Sequence, residues 1–126
     1  MRLKSDSGFT LIELLVVMSI IAILLTIALP RYLHSIDKAR ETALRQDLAV
    51  MRDALDKYHG DKGKYPDNLE ELVTERYLRS IPSDPLTGSY STWVTLPPGD
   101  TSKGLIYDIR SGALSNSSDG TPYKDW

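Results

Sequence analysis

Residues 9–29 read FTLIELLVVMSIIAILLTIAL and set the architecture of the whole chain. As a helix, these twenty-one residues would span about 31 Å, which matches the hydrocarbon core of a bilayer. Arg2 and Lys4 precede the run. Because basic residues favour the cytoplasmic side of a membrane, they predict a cytoplasmic N-terminus and export of everything after Pro30.

Glu13 is the charged residue within this apolar run. An acidic side chain at the bilayer centre costs about 2.5–3.5 kcal/mol, and less near an interface. Two interpretations follow: Glu13 lies near the headgroups and extends to water, or it meets a positive charge. For the run as a whole, a secretory signal peptide cut after Ala28 and a plain single-pass anchor are competing interpretations.

Length and composition exclude several classes of protein. With 126 residues the chain has room for one small domain and one extra segment, which rules out a large multidomain enzyme. Its net charge of -2 disfavours nucleic-acid binding, and its lack of cysteine excludes disulfides and thiolate metal sites. The sequence has no phosphate-binding loop or nucleophile motif, and His34 and His59 lack metal-ligand spacing, so we predict no enzymatic activity.

After Pro30 the sequence predicts an amphipathic helix over residues 31–58. Pro30 removes a helical hydrogen bond and predicts a helix break, as a kink or local melting, after which the helix resumes. Gly60 predicts the helix end. Apolar residues between them recur at spacings of three and four, which is typical of a helix packed on a core. They are Ile36, Ala39, Ala43, Leu44, Leu48, Met51, Leu55 and Tyr58. The charged face carries two i,i+4 pairs, which are Glu41 with Arg45 and Asp53 with Lys57.

Residues 60–126 predict a short helix and a small sheet. Asp67 and Glu70 have the spacing of a capping box at the start of the short helix. Residues 90–96 and 105–110 predict a two-strand antiparallel hairpin, with room for a third short strand. Because a hairpin is unstable alone, the amphipathic half of the long helix must support it. The fold class is therefore α+β, a long N-terminal helix (membrane stem plus amphipathic half) packed on a small antiparallel sheet.

The start of the apolar run has a specific resemblance. It is similar to the class III signal sequence of type IV pilins and type II secretion pseudopilins, in the residues Gly8-Phe9-Thr10-Leu11-Ile12-Glu13-Leu14-Leu15-Val16-Val17. The resemblance implies that a prepilin peptidase cuts between Gly8 and Phe9 and that Phe9 is then N-methylated. It also implies that Glu13 pairs with the N-terminal amine of a neighbouring subunit during filament assembly, because a pair of charges is easier to bury than either alone.

A second resemblance covers most of the remaining chain. It is similar to the region after the stem in the major, G-type pseudopilins of type II secretion, in the segments Gly63-Lys64-Tyr65-Pro66, Tyr77-Leu78, Ile81-Pro82, Asp84-Pro85 and Tyr107-Asp108-Ile109. The resemblance implies a pilin-like fold and a homo-oligomeric helical filament shared with other pseudopilins. It implies further partners in the prepilin peptidase and in an inner-membrane assembly platform with a cytoplasmic ATPase.

The implied function is that of a structural subunit of a periplasmic pseudopilus, whose polymerisation through the N-terminal helix drives protein export. Residues 1–8 would be a removed leader, residues 9–30 the transmembrane and filament-core helix, and residues 31–126 a periplasmic domain. The protein would be a single-pass protein of the bacterial inner membrane. Two alternatives stay open: a type IV pilin or competence-type filament subunit, and a membrane-anchored binding module that does not polymerise.

The calcium-binding C-terminal loop of the G-type family has a partial counterpart here. Asp119-Gly120 and Asp125-Trp126 resemble it, without its paired glycines and in a shorter loop. Together with Asp108, these aspartates could give oxygen ligands to Ca²⁺, which takes six to eight oxygens. As turn and solubilising residues they would need no ion. We therefore expect no required cofactor, with Ca²⁺ as the one candidate.

Overall fold

The computed structural model describes residues 8–126. The chain divides into two compact units, one ending at Ile36 and the other running from Asp37 to Trp126. The elements are helix α1 (Leu11–Lys62), helix α2 (Glu70–Thr74), strand β1 (Val94–Leu96), a 3₁₀ turn (Thr101–Lys103), strand β2 (Asp108–Arg110) and a second 3₁₀ turn (Tyr123–Asp125). A long N-terminal helix and a two-strand antiparallel sheet confirm the predicted α+β class.

Pro30 lies inside α1, and the residues on both sides of it are helical. The helix break predicted there is therefore absent from this structure. A proline removes a single N–H donor from the helix, and the hydrogen bonds of the turns before and after it can continue. Local melting at Pro30 in a different environment stays a prediction.

Helix α1 ends at Lys62, four residues later than predicted. Gly60 is accommodated within the helix, since a glycine there costs only about 1 kcal/mol relative to alanine. Gly63 ends the helix instead, with a φ of +73° and an N–H that donates to the His59 carbonyl at 2.9 Å. This left-handed conformation is a common helix end that glycine adopts without strain.

The hydrophobic core belongs to the unit that starts at Asp37. It contains Leu44, Leu48, Met51, Ala54, Leu55 and Tyr58 of α1 with Leu72, Leu78, Trp93, Ile106, Ile109, Ala113 and Tyr123. The predicted apolar stripe is thus confirmed from Leu44 onward. Ala39 and Ala43 are exposed and Ile36 is half-buried, because periodicity identifies a face of a helix but not which turns of it are covered.

The sheet is shorter than predicted. Each strand has three residues, and Thr95 pairs with Ile109 at the centre of the antiparallel register. Buried and exposed side chains do not alternate regularly from residue 105 to residue 110. Ile106 and Ile109 are both buried although they are three residues apart, and Tyr107 between them is exposed. Among residues 8–126 no third strand forms, and only an isolated bridge joins Asn116 to Pro122.

The predicted capping box at the start of α2 does not form, since the N-cap is Leu69 and its side chain makes no cap hydrogen bond. Asn68, rather than Asp67, accepts a hydrogen bond from the Glu71 N–H at 3.0 Å. The Glu71 carboxylate in turn accepts from the Asp67 N–H at 3.4 Å and from the Tyr58 hydroxyl at 2.9 Å. A tertiary contact with α1 thus selects Glu71 over Glu70 as the acidic member of the pair.

The carboxylate of Asp84 is fully buried and joins two loops. It accepts hydrogen bonds from the Ser111 hydroxyl at 2.6 Å and from the Leu86 N–H at 2.8 Å. Burial, and then the nearby charge of Asp84, raise the pKa of Asp47. Asp84 therefore stabilises the loops at the cost of some repulsion with α1.

We expect Asp84→Ala to lower the free energy of unfolding by about 2–3 kcal/mol, because it leaves buried donors without an acceptor. Loss of the repulsion with Asp47 offsets part of this effect. Chemical denaturation measures the change, and Ser83→Ala, at a half-buried neighbour, is the control. A free energy of unfolding for Asp84→Ala within about 0.5 kcal/mol of the parent would contradict the prediction.

Candidate functional site

The candidate site is the apolar N-terminal part of α1, which the protein itself leaves uncovered. The large apolar side chains from Phe9 to Leu29 are all exposed, from 79% for Phe9 down to 42% for Val17. This part of α1 is long and apolar enough to cross a membrane, and none of it is buried within the described structure. A helix that is apolar on every side needs lipid or other helices around it.

Two hydroxyl groups within this segment are satisfied by the helix. Ser19 Oγ donates to the Leu15 carbonyl at 2.8 Å, and Thr26 Oγ1 donates to the Ala22 carbonyl at 2.8 Å. Neither side chain needs water, which suits both a bilayer and a bundle of helices. The Glu13 carboxylate, by contrast, has no hydrogen bond to the backbone of the helix.

Glu13 lies in the first turn of α1, where its charge complements the positive end of the helix dipole. Thr10 precedes the helix, and its hydroxyl accepts a hydrogen bond from the Glu13 N–H at 3.0 Å. Within residues 8–126, no side chain donates a hydrogen bond to the Glu13 carboxylate. Sequence analysis missed the role of Thr10, although Thr-x-x-Glu is the spacing of a capping box.

The structure places Gly8, Phe9 and Glu13 at the same end of α1. Gly8 and Phe9 are exposed and non-helical, and the helix begins two residues after Phe9 at Leu11. An accessible peptide bond outside a helix is what a peptidase requires. The geometry therefore suits cleavage between Gly8 and Phe9, which stays a prediction.

The three aspartates predicted as calcium ligands do not form one ligand set. Asp108 Oδ1 accepts from Arg52 Nε at 2.8 Å and from its neighbour's N–H at 2.8 Å. Asp119 Oδ1 accepts from the hydroxyls of Ser117 and Thr121 and from the Thr121 N–H. Over residues 8–126, no three histidine or acidic side chains are grouped so as to hold a metal ion. The residues present therefore do not fit Ca²⁺.

The predicted partner of Glu41 is also wrong. Glu41 accepts hydrogen bonds from the Ser118 N–H at 2.8 Å and from the Tyr123 hydroxyl at 2.9 Å. Arg45 instead lies over the Trp126 ring, 3.9 Å from its centroid. The other predicted pair, Asp53 with Lys57, is confirmed at 2.9 Å. Glu41 and Arg45 thus hold the C-terminal residues rather than each other.

These hydrogen bonds make the C-terminal residues sensitive to acid. The backbone N–H of Ser118 holds the pKa of Glu41 below its ordinary 4.5, and the hydroxyl of Ser117 helps to lower the pKa of Asp119 to about 2. Both acids are charged more readily in the folded protein, so their stabilisation is present above about pH 4.5 and is lost as the pH falls towards about 2.

We therefore expect the difference in melting temperature between the parent and Glu41→Gln to shrink as the pH is lowered from about 6 to about 3. Glutamine is uncharged at every pH, so acid removes the stabilisation by the Glu41 charge from the parent and not from the variant. Calorimetry across this range measures the difference, and a constant gap at every pH would contradict the prediction. Asp53→Asn, which changes an exposed acid outside this contact, is the control.

Comparison with known families identifies the chain. Residues 3–29 match the prokaryotic N-terminal methylation motif, and residues 31–124 match the family described as type II secretion system (T2SS), protein G. The second match covers most of the chain. The chain belongs to the type II secretion system protein G family. The members of this family are structural pseudopilins, as the resemblance in the sequence implies.

Individual relatives agree with this assignment. A type II secretion system core protein G of Klebsiella michiganensis is 30% identical, over 99% of this chain and 92% of the relative. The proteins of the same name from Vibrio cholerae and Pseudomonas aeruginosa are 32% and 30% identical, over 89% and 94% of this chain and 84% and 93% of their own lengths. No solved structure matches the chain.

Proposed function

We propose that this G-type pseudopilin is held in the bacterial inner membrane by residues 9–29 and then polymerises through the same residues into a short periplasmic filament. One observation carries the proposal: the apolar side chains of this segment are exposed on every side of the helix, with Glu13 at its first turn. The filament would grow with other pseudopilins and drive protein export. On this proposal the chain is a mechanical subunit and not an enzyme.

The physics favours Glu13 as the group that makes assembly selective. Lipid tails are as apolar as leucine, so burial of apolar area alone gives the helix little reason to leave the bilayer. An acidic side chain costs about 2.5–3.5 kcal/mol at the bilayer centre and less near an interface, and a positive amine on a neighbouring copy offsets the cost of Glu13. Assembly thus exchanges an unfavourable lipid environment for an ion pair.

Processing would create the partner for Glu13. A cut between Gly8 and Phe9 removes Arg2 and Lys4 with the leader and exposes a new amine at Phe9. This amine lies at the same end of the helix as Glu13 in every copy, so a small axial offset between two copies brings the amine of one near the carboxylate of the other. N-methylation retains the positive charge.

Energy for assembly would come from partners. The chain carries no nucleotide-binding motif in its sequence. An assembly platform in the inner membrane with a cytoplasmic ATPase would extract the subunits, and a prepilin peptidase would act first. The region after Pro30 would lie in the periplasm, consistent with the basic residues before the membrane segment.

A test of the proposal is to produce the chain in a bacterium whose own core protein G gene is deleted. We expect short filaments in the fraction sheared from the cells and restored secretion. The matched control lacks the assembly ATPase, and should contain processed subunits in the membrane and no filaments. Processed subunits that stay monomeric in the presence of the ATPase would support the binding-module alternative, and surface fibres at native expression would support the type IV pilin.

A further inference from the structure

Three side chains on one face of α1 hold the C-terminal segment, which we define as residues 115–126. They are Glu41, Arg45 and Arg52, which are separated by four and seven residues and therefore lie along one side of a helix. All three belong to the unit that starts at Asp37. Their contacts join residues that are far apart in the sequence.

Glu41 holds the start of the segment. Its two carboxylate oxygens accept hydrogen bonds from the N–H of Ser118 at 2.8 Å and from the Ser118 hydroxyl at 3.1 Å. The hydroxyl of Tyr123, a buried residue, donates to the same carboxylate at 2.9 Å. Bonds to a charged acceptor are stronger than bonds between neutral groups. One side chain thus fixes two points of the segment.

Arg52 holds the end of the segment. Its Nε donates to Asp108 Oδ1 at 2.8 Å, and its Nη2 donates to the main-chain oxygens of Ile109 at 3.0 Å and Trp126 at 2.6 Å. A guanidinium presents five donors in a rigid plane, which suits several oxygens at once. Arg45, over the Trp126 ring, adds a cation–π contact beside it.

The oxygens around Arg52 are of the kind that a hard divalent cation collects. A carboxylate oxygen and two main-chain oxygens from separate segments converge on one positive group, as they would on Ca²⁺. Here that group is a side chain of the protein. Asp119 Oδ1 accepts hydrogen bonds from Ser117 and Thr121. Among residues 8–126, no group of three histidine or acidic side chains that includes Asp108 or Asp119 could hold a metal ion.

We propose that Glu41 and Arg52 fix the C-terminal segment in place of a bound calcium ion, so that this pseudopilin folds its C-terminal segment fully without calcium. Arg52 donates hydrogen bonds to oxygens of Asp108, Ile109 and Trp126. Glu41 accepts hydrogen bonds from Ser118, nearer the other end of the segment. This holds whether or not the chain polymerises, because every contact lies within one subunit.

The test uses the full-length protein in detergent micelles, with either excess CaCl₂ or EGTA. Calcium at about a hundred times the dissociation constant of a native site would raise the melting temperature of a domain this size by about 10 °C or more. We expect the same melting temperature in both conditions. We also expect the same hydrogen-exchange rate, by mass spectrometry, in a peptide that covers the C-terminal segment. A rise in melting temperature or slower exchange with calcium would overturn the proposal.

Variants test the side chains directly. We expect Glu41→Gln and Arg52→Gln each to speed hydrogen exchange in the C-terminal segment at least about tenfold, with or without calcium, and Arg52→Lys to have a smaller effect because it keeps the charge and loses the fork. Arg40→Gln, at an exposed position of α1, is the matched control.

Glu41→Gln keeps the test decisive if Arg52→Gln fails to fold, because Glu41 lies at the edge of the core. Exchange in Glu41→Gln that equals exchange in Arg40→Gln would overturn the proposed role of Glu41. Exchange in a folded Arg52→Gln that equals this control would overturn that of Arg52.

Discussion

We expect Glu13→Leu to remain in the membrane and to lose filament formation by about a hundredfold or more. Leucine removes a charge that is costly in lipid, so insertion becomes more favourable. In an assembled bundle the same change leaves the amine of a neighbouring Phe9 buried without its partner. Breaking a buried ion pair in this way costs about 3–5 kcal/mol, which is a factor of a hundred or more in an equilibrium constant.

Quantitative immunoblots of the membrane fraction and of the sheared filament fraction measure this effect. Thr26→Val is the matched control, because it removes a polar group from the same helix whose hydroxyl already bonds to the Ala22 carbonyl. We expect this control to assemble like the parent. Filaments of Glu13→Leu at the level of the Thr26→Val control would show that Glu13 has no part in assembly.

Gly8→Val should abolish filaments completely by preventing the cut before Phe9. A small residue next to the scissile bond is part of the resemblance to class III signal sequences, and a β-branched side chain restricts the backbone there. A Cβ atom added at Gly8 meets no atom of the described residues within 4 Å. The substitution therefore leaves the fold intact while it retains Arg2 and Lys4 and forms no amine at Phe9.

Gel mobility and intact mass distinguish the two forms, since the processed chain lacks eight residues. Ser5→Ala, which lies in the same leader, is the control and should be processed normally. A Gly8→Val chain that is cut before Phe9, or that assembles with its leader attached, would contradict the predicted role of processing.

The uncovered apolar helix could be predicted from the sequence because its signal is local. A run without charge over residues 14–29 has one physical consequence, which is that no water-facing side of the helix exists. The core face of α1 was predicted from Ile36 and is confirmed from Leu44 onward, since spacing along a helix fixes the direction of a face but not which turns are covered. The length of the helix could not be predicted from these residues, because Gly60 and Pro30 weaken a helix without ending it.

The contacts of the C-terminal segment could not be predicted from local rules. Glu41 has Arg45 at the favourable i,i+4 spacing, yet its carboxylate bonds to Ser118, which is 77 residues away along the chain. Asp108, a predicted calcium ligand, binds Arg52, which is 56 residues away. Pairing at this distance depends on how the sheet and the C-terminal segment pack on α1, and spacing carries no information about it.

The intact mass of the chain recovered from sheared filaments tests most directly whether a processed subunit assembles through residues 9–29. We predict the mass of residues 9–126 plus one methyl group, with N-methylated Phe9 as the first residue. A filament subunit that retains residues 1–8, or one whose first residue is Leu29 after a cut behind Ala28, would contradict the claim.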